Sequence, residues 1–93
     1  MNTKIVNITE LESNYIERMF HEYNASLNIL RFLMSQNDIN EEYLLKYTKA
    51  SEEKYIILEI GKKEISERYH PKEIENYNFT FDFDNNSIIY TWE

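Results

Sequence analysis

Four residues near the C-terminal end of this 93-residue chain hold the spacing of a calcium loop. Asp82, Asp84, Asn86 and Glu93 stand at its first, third, fifth and twelfth positions, and a hard cation takes oxygen ligands of that kind. The rest of the motif is missing. Ser87 stands where the loop needs Gly for its sharp turn, and an alternating strand pattern precedes it where a helix belongs. The segment therefore reads as a hairpin turn with acidic residues. Other metal chemistry is short of donors. The chain has no Cys and only two His, His21 and His70. A zinc site takes three or four protein ligands.

The missing Cys also excludes a disulfide scaffold, an iron–sulfur centre and a thiol nucleophile. One Gly excludes a Gly-rich phosphate loop. Seventeen acids offer many carboxylate pairs, but nothing singles one out for acid–base work. Glu41, Glu42, Glu52, Glu53, Glu64 and Glu67 fall on helical polar faces, some with Lys nearby, and read as solvated. No catalytic residue, cofactor or metal is expected.

Charge narrows the partners. Ten basic against seventeen acidic side chains leave a formal charge of −7. Nucleic-acid binding rests on Lys and Arg neutralising phosphates, so direct contact with nucleic acid or an anionic membrane is disfavoured. An acidic surface suits a larger, basic protein. The charge is −1 over 1–37, −2 over 38–70 and −4 over 71–93, so acidity concentrates toward the C-terminal end. Glu73, Glu75, Asp82, Asp84 and Glu93, with Tyr77, are the expected partner-binding residues. No run approaches the roughly 20 apolar residues of a membrane helix and no signal-peptide pattern opens the chain, so a cytoplasmic location is expected.

The elements that must position these residues form one α+β domain. Residues 1–8 are short and mixed and read as an arm. Thr9 to Glu12 is a capping box. Behind it Leu11, Tyr15, Ile16, Met19, Phe20, Tyr23, Leu27, Leu30 and Met34 make one apolar stripe, predicting a helix over about 10–36. Asp38 to Glu41 reads as a second box with Asp38 as cap, starting a helix over 39–49. Ser51 is a candidate cap for a third, over 52–70. Within it Tyr55 to Ile60 also reads as a buried strand; the length of the periodic pattern favours helix, and Pro71 ends it.

The last elements form a hairpin over 77–92. A two-residue turn at Asn85-Asn86 pairs Phe83 with Ile88, Phe81 with Tyr90 and Phe79 with Trp92, all on one face. An isolated hairpin is marginal in water, so that aromatic face must cover the helices or a partner. Each aromatic buries roughly 150–250 Å², enough to hold so small a domain. The predicted fold is a helical hairpin or three-helix bundle covered by a C-terminal antiparallel β-hairpin.

In that order the Thr9-Glu10-Leu11-Glu12 helix with Ile16 and Met19-Phe20, the Glu42-Tyr43-Leu44-Leu45-Lys46 helix, Ser66-Glu67-Arg68-Tyr69 and the terminal Phe79 to Asp84 and Ile88 to Tyr90 segments resemble a family. They look like the small accessory proteins of CXXX-repeat peptide modification systems. The resemblance implies a non-enzymatic helper beside a radical enzyme, with no catalytic residue. The expected function is an accessory, protein-binding subunit of a bacterial protein or peptide modification system. The alternative is an inhibitor from a phage or mobile element, an acidic nucleic-acid mimic of the anti-CRISPR or anti-restriction type.

Overall fold

The computed structural model describes all 93 residues. Strand β1 (Asn2–Asn7) leads into helix α1 (Glu10–Met34), then helix α2 (Glu41–Tyr69) and strands β2 (Asn78–Asp82) and β3 (Ser87–Trp92). The fold is α+β: a hairpin of two long helices with a three-stranded antiparallel sheet on one side, strand order β1-β3-β2. No helix is long and apolar enough to cross a membrane.

The capping box at the start of α1 forms as its sequence requires. The Glu12 N–H donates to the Thr9 hydroxyl at 3.1 Å, and the Thr9 N–H donates back to the Glu12 carboxylate at 3.0 Å. The second cap is displaced. Asn40, not Asp38, caps α2, its side chain accepting from the N–H groups of Glu42 and Tyr43. Asn and Asp cap equally well, so the preference between them does not choose.

Residues 39–49 and 52–70 are not two helices. Ser51 is buried inside the continuous α2, where its hydroxyl donates to the Thr48 carbonyl at 2.9 Å. A small residue that satisfies its own hydroxyl within the helix serves close helix packing as well as it serves a cap. Ser26 does the same on α1, donating to the Tyr23 carbonyl. Gly61 admits a still closer approach: a Cβ there would lie 3.2 Å from Ile16 Cδ1 and 3.4 Å from Met19 Cε.

Residues 1–8 are not a free arm. Asn2 to Asn7 pairs with the whole of β3, from Asn2 opposite Trp92 to Asn7 opposite Ser87. Ile8 then turns inward, and its N–H donates to the Asn86 carbonyl at 2.9 Å. β1 is a polar edge strand with weak alternation, so its pairing energy comes from backbone bonds that leave little trace in side-chain pattern.

The terminal hairpin keeps the expected inward face but slips by two residues. Phe81 pairs with Ile88 and Phe79 with Tyr90. The turn is four residues, Phe83 to Asn86, with Asn86 in the left-handed region at φ 46°. The Asp82 carboxylate holds it by accepting from the Asn85 side chain at 2.8 Å. A two-residue slip preserves which side each residue faces, so the burial pattern survives while every cross-strand partner changes.

The core lies where this face meets the facing ends of the helices. Ile88 and Tyr90 of the central strand are fully buried with Ile16, Met19, Leu58 and Ile65. Tyr90 bonds the sheet to α2, its hydroxyl donating to the Ser66 carbonyl at 2.7 Å. Phe79, Phe81, Phe83 and Trp92 pack around that centre.

Candidate functional site

The sheet does not lie flush on α2. Glu59, Lys63 and Glu67 recur at four on the α2 surface, and the β2–β3 end of the sheet stands against that stripe. Between them opens a groove of about 930 Å³. Its aromatic lining comes from Tyr77, Phe79 and Trp92, and its acidic lining from Glu59, Glu67, Glu75 and Glu93.

The aromatic wall is braced from behind. Tyr77 meets the buried Tyr90 edge-on at 5.3 Å, and His70 stacks on Tyr77 at 5.0 Å with the rings 17° apart. Pro71 ends α2 and turns the chain, and residues 75–77 of the connection line the groove. Glu59 is paired with Lys62 at 3.2 Å. Glu67, Glu75 and Glu93 have no basic side chain within ion-pair distance, and Lys63 has no carboxylate within it. The groove therefore keeps three unpaired carboxylates, the unpaired ammonium groups of Lys63 and the Met1 N-terminus, and half-buried aromatic rings. Such a site attracts cations, and aromatic faces add to that attraction.

Of the six residues expected to bind a partner, the fold brings Glu75, Tyr77 and Glu93 together in this groove. Glu73 is exposed in the same connection but does not line it. Asp82 and Asp84 are separated from it. They sit at the opposite end of the hairpin, a strand length or roughly 13 Å away. There Asp82 is occupied with holding the turn. Glu67 was read as solvated helix surface and Trp92 and Phe79 as core, whereas Glu59 and Lys63 were not singled out. The i, i+4, i+8 spacing on α2 signals one stripe, but nothing local says that a sheet edge faces it.

One carboxylate outside the groove stands apart electrostatically. Burial acts to raise the Glu12 pKa, but hydrogen bonds outweigh it: from the Tyr69 hydroxyl at 2.6 Å, from the Thr9 N–H and hydroxyl, and from Arg68 at 3.1 Å. The result is a pKa of about 2. Its bond to Glu12 in turn raises Tyr69 above the usual phenol range. Burial raises Tyr90 in the same sense. These groups tie α1 to α2 and the sheet to α2, and none faces the groove. No cluster of His, Asp and Glu converges in a way that holds a metal ion.

No family model, curated protein or solved structure matches the chain. The likeness to CXXX-repeat accessory proteins thus stands on the sequence pattern alone.

Proposed function

We propose that the protein is a non-enzymatic binding module that receives a basic segment of a larger protein in the groove between α2 and the sheet. The observation that carries this reading is the union of unpaired Glu67, Glu75 and Glu93 with Tyr77, Phe79 and Trp92 in one open groove. Arginine or lysine on a partner gains charge attraction from the rim and ring contact from the wall. The volume is at the upper end of what small-ligand sites use, which suits a run of side chains.

An accessory subunit, as the sequence resemblance implies, acts by such contacts. The nucleic-acid-mimic reading needs carboxylates in a continuous line, and the separation of Asp82 and Asp84 from the groove weakens it.

Trp92 is the only tryptophan and lines the groove, so its fluorescence reports on occupancy. Titration with an Arg- and Lys-rich peptide is expected to shift the emission saturably, while an acidic peptide of equal length does not. Glu67→Lys with Glu75→Lys abolishes the response, and moderate salt weakens it. An unchanged spectrum at millimolar basic peptide refutes the groove as a binding site.

A further inference from the structure

The sheet covers only half of the helical hairpin. Tyr23 and Tyr55 touch across the two helices with ring centroids 5.4 Å apart, and past this pair the helices run on as a bare arm, residues 24–54. Ser26 and Ser51 are the only buried residues in it. Phe32 is 64% exposed, Leu45 72% and Tyr43 54%, and Ile29, Met34 and Ile39 are exposed as well. The molecule is long in consequence, 54 × 26 × 19 Å. Its radius of gyration is 16.8 Å, where a compact chain of this length has about 12 Å.

The excess surface has a size that can be judged. A folded monomer of 11.4 kDa exposes about 5,800 Å². This chain exposes 7096 Å², an excess of roughly 1,300 Å². A stable dimer takes about 800 Å² from each partner. The helix pattern points the same way. Leu44, Ser51, Leu58 and Ile65 recur at seven and face α1; Tyr43, Ala50 and Ile57 recur at seven on the adjoining stripe, and Tyr43 and Ile57 stand more than half exposed. A helix with two adjoining heptad stripes is built for two neighbours, and α2 has one.

Charge selects the occupant. The arm carries four basic and five acidic residues, so it holds −1 of the total of −7. A basic partner gains little there, whereas a second copy meets almost no repulsion. We propose that this arm is the interface of a homodimer, two arms packing antiparallel about a two-fold axis into a four-helix bundle. The antiparallel arrangement follows from the bodies, which carry −6 each. It sends them to opposite ends, where a parallel one sets them side by side. The dimer is independent of the groove's function and presents two grooves, one at each end.

Sedimentation velocity of the full chain from 1 to 300 µM tests this. The expected mass is twice 11.4 kDa, and moderate salt shifts the equilibrium toward dimer by screening the bodies. That response is opposite to the salt response of the basic peptide, so the two readings fail separately. Ile29→Glu and Tyr43→Glu replace exposed side chains and are expected to give monomer with unchanged helical circular dichroism. Ile60→Glu, on the groove side of α2, is expected to stay dimeric. Gln36→Cys at the arm tip is expected not to form a disulfide within the dimer. A wild-type chain monomeric at 300 µM overturns the proposal, as does a dimer that survives both arm variants or loosens equally with Ile60→Glu. Rapid disulfide formation by Gln36→Cys overturns the antiparallel arrangement.

Discussion

Replacing Glu12 by Gln is expected to flatten the acid limb of this protein's stability. The ionised carboxylate accepts from Thr9, Arg68 and Tyr69 at once and joins the first turn of α1 to the last turn of α2. Its pKa falls from 4.5 to about 2 on folding. A lowered pKa means that the folded chain holds its proton less tightly than the unfolded one. The stabilisation is therefore complete above pH 4.5 and is withdrawn as the pH falls toward 2. At about 1.36 kcal/mol for each pH unit, the ceiling is about 3 kcal/mol. Arg68 is 61% exposed and its part of the attraction is screened by water, which leaves roughly 1.5–2 kcal/mol. Gln preserves the capping box while removing the charge, so the cap does not confound the comparison. Urea unfolding from pH 7 to pH 2.5 measures both proteins. At pH 7 the variant is expected to lose about 1–2 M in urea midpoint. By pH 2.5 the two curves are expected to converge to within a few tenths of a kcal/mol. Parallel curves across the whole range refute the assignment of this charge to the helix junction.

Tyr90→Phe removes the buried bond from sheet to helix. Because the Ser66 carbonyl keeps the His70 N–H as a second donor, the expected loss is near the low end, about 1 kcal/mol by chemical denaturation. Gly61→Ala gains helix propensity while its Cβ presses on the flexible ends of Ile16 and Met19, and thermal melting is expected to find it within about 1 kcal/mol of wild type. Gly61→Ile forces the helices apart at the same point and is expected to cost about 2–3 kcal/mol. Asn86→Val places a β-branched residue at φ 46° and is expected to lower stability by about 1–2 kcal/mol, whereas Asn86→Gly is near neutral in the same melts.

The acidic residues show how much of the site was legible. Glu73, Glu75 and Glu93 were recognisable as a negative region because charge density can be counted along a chain. That Asp82 and Asp84 part from Glu75 and Glu93 follows from the hairpin, which sends its turn and its open end in opposite directions. Trp92 and Phe79 were legible as inward-facing, and both do pack against the core. Their remaining exposed faces form a groove wall because α2 stands off at that edge, a matter of helix–sheet spacing that alternation does not encode.

Local patterns settled what local forces decide. Although Leu11, Tyr15, Phe20 and Met34 of the α1 stripe stay exposed, the Thr9 cap, the inward Ile16 and Met19 of α1, the stop at Pro71 and the inward set of Phe79, Phe81, Ile88 and Tyr90 each depend on residues within a few positions of one another. Their hydrogen-bond and burial requirements are written at helical or strand spacing. Three things waited on the folded chain. α2 runs unbroken through Ser51 because α1 packs there, β1 exists because β3 has a free edge 80 residues later, and the hairpin register moved by two because a four-residue turn replaced the shorter one. Each is a choice between locally near-equal alternatives. Contacts remote in sequence break such ties, since only they differ in how much surface and how many backbone groups each alternative satisfies.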